Sequence, residues 1–377
     1  MPMPSIFPLL GIVATLALSS AAHAETRTLK ASVHLPPKNN AVADGYEPFV
    51  KRVEEATKGQ LKIRLFTGGS LLGPKAVSDG VRDGLADIGY VIFGYSPAEY
   101  PYGALITDMA AIGDNAVPVS AATTEFVMLG CEPCLAEFKA NGNVYTGTYG
   151  TPPMVLMGMQ PVKAPADLKG KKIRAAGSIW DRYIEFVEAI PVNVPSSEQY
   201  EALSRGAVDM VITSPTSLKG FSLWDVVKDV TLIDLGVYRA INTYAFNPKT
   251  WQSFSPEMRR LLLEITADSN LDIAHGYNRT TDEVIAGAKD KKIAVAEPTP
   301  EVKRNVDAFV EADLKAIAEI ARTKHGIAKP EEHIAKMQEL VAKWNAIWEE
   351  SGRDLDKMKQ RLRTDVIAKL DVERYGM

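Results

Sequence analysis

The segment DLKGKKIRAAG, Asp167 to Gly177, sets Arg174 at the end of a short strand-like stretch, directly before Ala175, Ala176 and Gly177. A guanidinium is a fixed cation with a planar fork of donors, and small neighbours leave that fork open to approach. A carboxylate suits it, because two parallel charge-assisted hydrogen bonds hold both partners in one orientation. Chemistry of other kinds finds little footing. Of the 5 histidines, His23 lies in an amino-terminal apolar run, and His275, His325 and His333 lie in charge-rich helical stretches. The chain contains no G-x-S-x-G elbow, no G-x-x-x-x-G-K-S/T phosphate loop, no H-E-x-x-H pair and no EF-hand loop. No catalytic residue, cofactor or metal is expected. The 2 cysteines, Cys131 and Cys134 in GCEPCLAEF, read as a local disulfide staple, since zinc would need two further ligands and none is near.

The elements that must position Arg174 follow from periodicity. TLKASVHLPP reads as a strand, VADGYEPFVKRVEEATKG as an amphipathic helix stopped by Gly59, LKIRLF as a strand, PKAVSDGVRDG as a short helix and LADIGYVIFG as a buried strand. The same plan recurs around Arg174: IPVNVP is a strand, SSEQYEALSRG a helix and AVDMVIT a strand. VRDGLADI (Val81 to Ile88) and LSRGAVDM (Leu203 to Met210) match in detail. Each has an apolar residue three before a helix-stopping Gly and an Asp three after it. Two such units predict two α/β domains of like construction. Beyond YAFNPKTW the chain turns helical: Ser255-Pro256-Glu257 opens one long helix, or two joined by a bend at Gly276, and further helices with a charged helical tail follow.

Bulk properties bound the rest. With 377 residues, 46% hydrophobic and 24% charged, the chain can build two cores. A net charge of -4 lacks the basic stripe that nucleic acid requires. The run IFPLLGIVATLALSSAAHA ends in Ala22-His23-Ala24 and reads as a secretory signal over residues 1–24, although no Lys or Arg precedes it. A periplasmic location and no stable membrane insertion of the mature chain are expected.

The motifs ADLKGKKIRAAG and IPVNVPSSEQYEALSRGAVD, in that order, resemble the solute-binding proteins of TRAP (tripartite ATP-independent periplasmic) transporters. The likeness is strongest from Ala164 to Asp209 and extends back through GQLKIRLFTGGSLLGPKAVSDGVRDGLADIGYV. It implies an α/β, two-domain periplasmic binding protein with hinge-linked lobes, a long interdomain helix and extra carboxyl-terminal helices. Lobe I would comprise residues 25–149 plus about 239–275, lobe II 150–238 plus about 276–345, and 346–377 would form a helical extension. The resemblance also implies a small organic acid as ligand, a TRAP membrane permease as partner, and Arg174 as the residue that salt-bridges the ligand carboxylate. By matching position, His34, Tyr95, Thr151, Met154, Thr213 and Ser214 would line the cleft, and Trp180 on the next helix would close over the ligand or pack against the sheet.

The second arginine of sialic-acid-binding members has no counterpart around Met154, and DMVITSPTS lacks the Gln/Glu-Trp pattern of metal-assisted keto-acid binders. The cleft is therefore expected to be apolar and aromatic, with Tyr90, Ile92 and Phe93 joining Tyr95, Met154 and Trp180 around one anion anchor. The ligand would be a monocarboxylate with an apolar or aromatic body, or a dicarboxylate whose second end meets neutral donors or Arg239 in GVYRAINTY. A receptor for an ATP-driven importer, a sensory binding protein and a periplasmic hydrolase or isomerase remain as alternatives.

Overall fold

A computed structural model describes Met1 and residues 26–377; the expected secretory signal lies outside the described residues. Two sheets organise the chain. The first runs, edge to edge, through the strands Asn242–Phe246, Ile88–Val91, Arg27–Ser32 and Leu61–Phe66. The second runs through Ala294–Ala296, Asp229–Thr231, Val155–Gly158, Met210–Thr213, Lys172–Ala175 and Ile190–Asn193. An antiparallel pair, Tyr149–Pro153 with Val237–Ala240, joins them where the chain crosses from one lobe to the other and back. Arg27–Ser32 in the first sheet and Lys172–Ala175 in the second are each parallel to both neighbours, as strand-helix-strand units require.

The repeated octapeptide has one structural meaning in both lobes. Gly84 and Gly206 take positive φ (77° and 66°), which ends the short helices Val77–Arg82 and Gln199–Ser204 and turns the chain into the next strand. Asp87 then accepts the Lys30 backbone N–H at 2.8 Å, and Asp209 accepts that of Lys172 at 2.8 Å. In each lobe the same carboxylate ties the incoming strand to its parallel neighbour. In lobe II that neighbour is the strand that carries Arg174.

Two long helices bridge the lobes. Pro256–Gly287 starts at a Ser255 cap, whose side chain accepts from Met258 N, and continues through Gly276 without interruption. A Cβ at Gly276 would collide with the Asp44 carboxylate, so this glycine serves a close approach and not a bend. Leu262, Leu271 and Ile273 of this helix enter the core of the first sheet, and Val284 enters that of the second. The helix Pro300–His325 crosses in the opposite sense, with Val302, Val306 and Phe309 in the second lobe's core and Ile317 and Ala321 in the first's.

The carboxyl-terminal helices pack differently from the expected division. Met337, Trp344 and Trp348 of Pro330–Glu350, and Met358 and Leu362 of Leu355–Asp365, all enter the first sheet's core. Trp344 Nε1 donates to Glu125 at 2.7 Å. The last residues are docked as well: Trp251 Nε1 donates to Tyr375 O at 2.8 Å, and the Tyr375 hydroxyl donates to Tyr145 O at 2.9 Å. Packing thus groups residues 330–377 with lobe I, where the sequence put 276–345 in lobe II and left 346–377 apart. An apolar stripe tells which face of a helix is covered and leaves open by what.

Three helices, Pro101–Asp108, Ala116–Glu125 and Glu132–Ala140, gave no sequence signal of their own. Nine residues of Ala116–Glu125 are buried, so it lacks the polar face that creates a helical period. Cys131 and Cys134 are joined to each other at the start of Glu132–Ala140, with a Cα–Cα distance of 5.3 Å. No helix among the described residues is long and apolar enough to cross a membrane.

Candidate functional site

A partly open cavity lies between the two sheets, lined by residues of both lobes. Lobe I supplies Leu35, Asn39, Tyr90, Ile92 and Tyr95 to its wall; lobe II supplies Met154, Arg174, Trp180, Thr213 and Ser214 among others. Arg174 is the one acidic, basic or histidine side chain in that lining. It stands one residue before the carboxyl end of the Lys172–Ala175 strand, where ligands of open α/β sheets gather.

The guanidinium is only 3% exposed. Its Nε donates to Val194 O at 2.8 Å, which fixes the plane of the fork. Its Nη2 is buried with no hydrogen-bond partner, and Arg174 forms no ion pair with any described residue. Burial lowers its pKa, with Tyr95 and Tyr238 opposing the shift, yet an arginine stays charged in any accessible range. A buried cation with an idle donor is costly unless an anion arrives to meet it. Next to it, the Tyr95 hydroxyl accepts the Ser196 backbone N–H at 3.0 Å, a bond that spans the two lobes.

The sequence candidates sort clearly. Arg174, Tyr95, Trp180, Thr151, Met154, Thr213 and Ser214 all line the cavity, as do Tyr90 and Ile92. Trp180 Nε1 donates to Leu235 O at 2.9 Å inside the lobe II core, and the residue also lines the cavity. The hydroxyls of Thr213 and Ser217 bond to each other at 2.7 Å, and Thr151 Oγ1 donates to Pro152 O at 2.9 Å. His34 is buried behind the wall, stacked on Tyr90 with centroids 5.4 Å apart. Burial pulls its pKa down to about 3, so the imidazole is neutral at physiological pH and a poor base.

Three expectations need correction: His34, expected to line the cleft, lies behind its wall, and neither Phe93 nor Arg239 lines it. Phe93 packs into the lobe I core against Tyr100 and Phe138, with centroids 4.2 and 5.0 Å away, and is not cavity wall. Arg239 is 1% exposed and already fully used: Nε donates to Thr123 Oγ1 at 3.2 Å, Nη1 to Met109 O at 2.7 Å and Nη2 to Ile112 O. It holds the interlobe strand against the end of Pro101–Asp108. Successive side chains of a strand face opposite ways, and it is Tyr238, one residue earlier, that lines the cavity.

The residues missed include three phenols. Tyr149, Tyr238 and Tyr277 line the cavity with Tyr90 and Tyr95. Tyr90, Tyr149 and Tyr277 form a stacked column with centroid spacings of 6.1 and 5.5 Å, and the Tyr90 and Tyr149 hydroxyls bond at 2.6 Å. Tyr149 was within reach of the sequence, since it shares a strand face with Thr151 two residues on. Tyr277 was not, because it comes from the long helix more than a hundred residues away.

This arrangement can hold an anion in an aromatic box. It contains no nucleophile paired with a base, and among the described residues no His, Cys, Asp and Glu cluster could hold a metal ion. The family described as bacterial extracellular solute-binding protein, family 7 (DctP), matches residues 32–321. A solute-binding protein of Albidiferax ferrireducens is 26% identical over 299 residues, covering 73% of this chain and 85% of that one. Among solved structures, a marine-metagenome TRAP solute-binding protein superposes with a TM-score of 0.76 at 20% identity, covering 85% of this chain and 99% of that one. A TRAP periplasmic solute-binding protein of Bordetella bronchiseptica gives 0.72 at 23% identity, covering 84% and 99%. A two-lobed α/β fold around an arginine-bearing cavity, and a family match across most of the chain, place this protein in bacterial extracellular solute-binding protein family 7 (DctP).

Proposed function

We propose that this receptor captures a small carboxylate with an apolar or aromatic body in the periplasm, by closure of its two lobes, and hands it to a TRAP membrane permease. The observation that carries the reading is Arg174, a buried cation on the cavity wall with an unpaired Nη2. A carboxylate docking on that fork is desolvated with it as the lobes shut, which strengthens their attraction. Closure then draws on differential affinity, because the ion pair is complete only in the shut form. Tyr95, Trp180, Thr151, Met154, Thr213 and Ser214 would enclose the body of the ligand. The Bordetella bronchiseptica structure contains mandelate and the marine-metagenome structure 3-hydroxybenzoate, both aromatic carboxylates. Native mass spectrometry of the protein purified from its host tests this reading. A bound small acid is expected; an uncharged sugar in its place removes it.

The site also carries a pH dependence. Asp181 lies on the helix Ser178–Phe186 that follows Arg174, and burial, then the charge of Glu185, push its carboxyl up to about 6, against the pull of Arg174 and Arg182. Ionised Asp181, whose charge is felt at Arg174, opposes the arrival of a ligand carboxylate there. Protonation removes that opposition, so proton uptake and ligand binding favour each other. Affinity for benzoate should rise, by roughly tenfold at most, as pH falls from about 7 to about 5. Titration calorimetry across that range should show the rise in the wild type and a flat profile in Asp181→Asn.

A further inference from the structure

The charge inventory of the cavity separates two ligand classes that the Arg174 reading leaves open. From the geometry we infer that the ligand carries a single carboxylate, and that Asn39 and Tyr277 form a neutral subsite that selects a hydroxyl or carbonyl on its body. The inference rests on Arg174 as the carboxylate anchor.

A dicarboxylate needs a second cation, or at least a cluster of free strong donors. Arg174 is the only cation in the cavity wall, and Arg239 is committed to Thr123 and two backbone carbonyls. Away from Arg174 the wall is neutral: the Thr213 and Ser217 hydroxyls bond to each other, as do those of Ser214 and Thr216, and burial raises Tyr90, Tyr149 and Tyr238 well above the ordinary tyrosine value and Tyr277 to about 12. His34, stacked behind Tyr90, is neutral too. A second carboxylate seated there would lose its water without gaining a counter-charge.

A neutral polar group is better served. The Asn39 Oδ1 accepts the Ala41 backbone N–H at 2.9 Å and the Tyr277 hydroxyl at 3.2 Å. Those two bonds fix which way the amide points. The Asn39 bonds found among the described residues all use Oδ1, which leaves Nδ2 on the cavity-lining residue free to donate. A hydroxyl or carbonyl oxygen on the ligand would satisfy that donor, and an apolar body alone would leave it unpaired.

The test is a set of ligands on one ring: benzoate, 3- and 4-hydroxybenzoate, and the dicarboxylates isophthalate and terephthalate, titrated by calorimetry into the full receptor. One hydroxybenzoate should bind about tenfold tighter than benzoate. The dicarboxylate substituted at the same position should bind more than about a hundredfold weaker than that hydroxybenzoate. Tyr277→Phe, which keeps the ring and releases the amide, should cut the hydroxybenzoate's advantage over benzoate when both are titrated into the same variant. A dicarboxylate binding as tightly as the hydroxy acid overturns the single-charge inference and leaves the Arg174 anchor standing. A hydroxyl advantage that is absent, or unchanged in Tyr277→Phe, overturns the neutral subsite. If no member of the set binds, the aromatic-body reading falls with both, whereas the anchor itself is judged separately by the acid found in native mass spectrometry.

Discussion

Arg174→Ala should abolish ligand capture while leaving the receptor folded. Truncating one partner of a buried, hydrogen-bonded ion pair costs about 2–5 kcal/mol, a loss in affinity of roughly 30- to 5,000-fold. The ligand-free protein should be no less stable than the wild type. The bond from Nε to Val194 O is lost, and a buried charge with an unpaired Nη2 is removed with it. Arg174→Lys is the sharper variant. A lysine keeps the charge and loses both the fork and the Val194 contact that orients it, so it should also bind at least about tenfold more weakly. Calorimetric titration beside ligand-free thermal unfolding separates the two effects. Wild-type affinity in Arg174→Ala would mean that the ligand sits elsewhere.

The second large effect concerns stability. Arg182, on the helix after Arg174, grips Asp313 with two bonds, Nε to Oδ1 at 2.6 Å and Nη2 to Oδ2 at 2.8 Å. Its Nη1 reaches Asp108 Oδ1 at 2.9 Å, and the Ser178 hydroxyl donates to the same oxygen. His325 Nε2 stands 3.6 Å from the other Asp108 oxygen. One cation thus joins a lobe I helix, the helix that follows the anchor strand, and the bridging helix Pro300–His325. Both carboxylates are nearly inaccessible, with side chains 0% and 4% exposed. Arg182→Met would strand two buried anions and should destabilise the ligand-free protein by about 3–5 kcal/mol. For a chain of this length that is roughly 4–7 °C in Tm. Adding Asp108→Asn should recover part of the loss, because the stranded charge goes. An effect below about 1 kcal/mol would show that the cluster adds nothing to stability. Burial alone would raise the Asp108 pKa, but His325, Arg182 and Ser178 outweigh it and leave it lowered. Its contribution is therefore present above the ordinary carboxylate range and is lost as pH falls below about 4.

Local rules were legible in the sequence because their causes are local. A helix-stopping Gly followed three residues later by Asp described the same turn at Gly84 and Gly206, and the structure gives Asp87 and Asp209 the same backbone partner in each lobe. Arg174 at a strand end before three small residues pointed to an open guanidinium, and that residue faces the cavity with one donor idle. The cysteine pair, three residues apart, closes on itself.

What the chain could not reveal alone was anything that depends on who packs against whom. Arg174 and Arg239 are both buried arginines on strands, and only the placement of Met109, Ile112 and Thr123 around Arg239 makes one structural and leaves the other free. Phe93 and Tyr95 lie two residues apart, yet one faces Phe138 in a core and the other faces the cavity. Tyr277 and Asn39 meet across 238 residues of chain. The terminal helices show an apolar stripe in sequence, and the lobe it covers is set by Trp344 reaching Glu125. Periodicity and capping are properties of a few consecutive residues, so sequence determines them; the lining of a cavity is a property of surfaces brought together from distant segments, and only folding decides it.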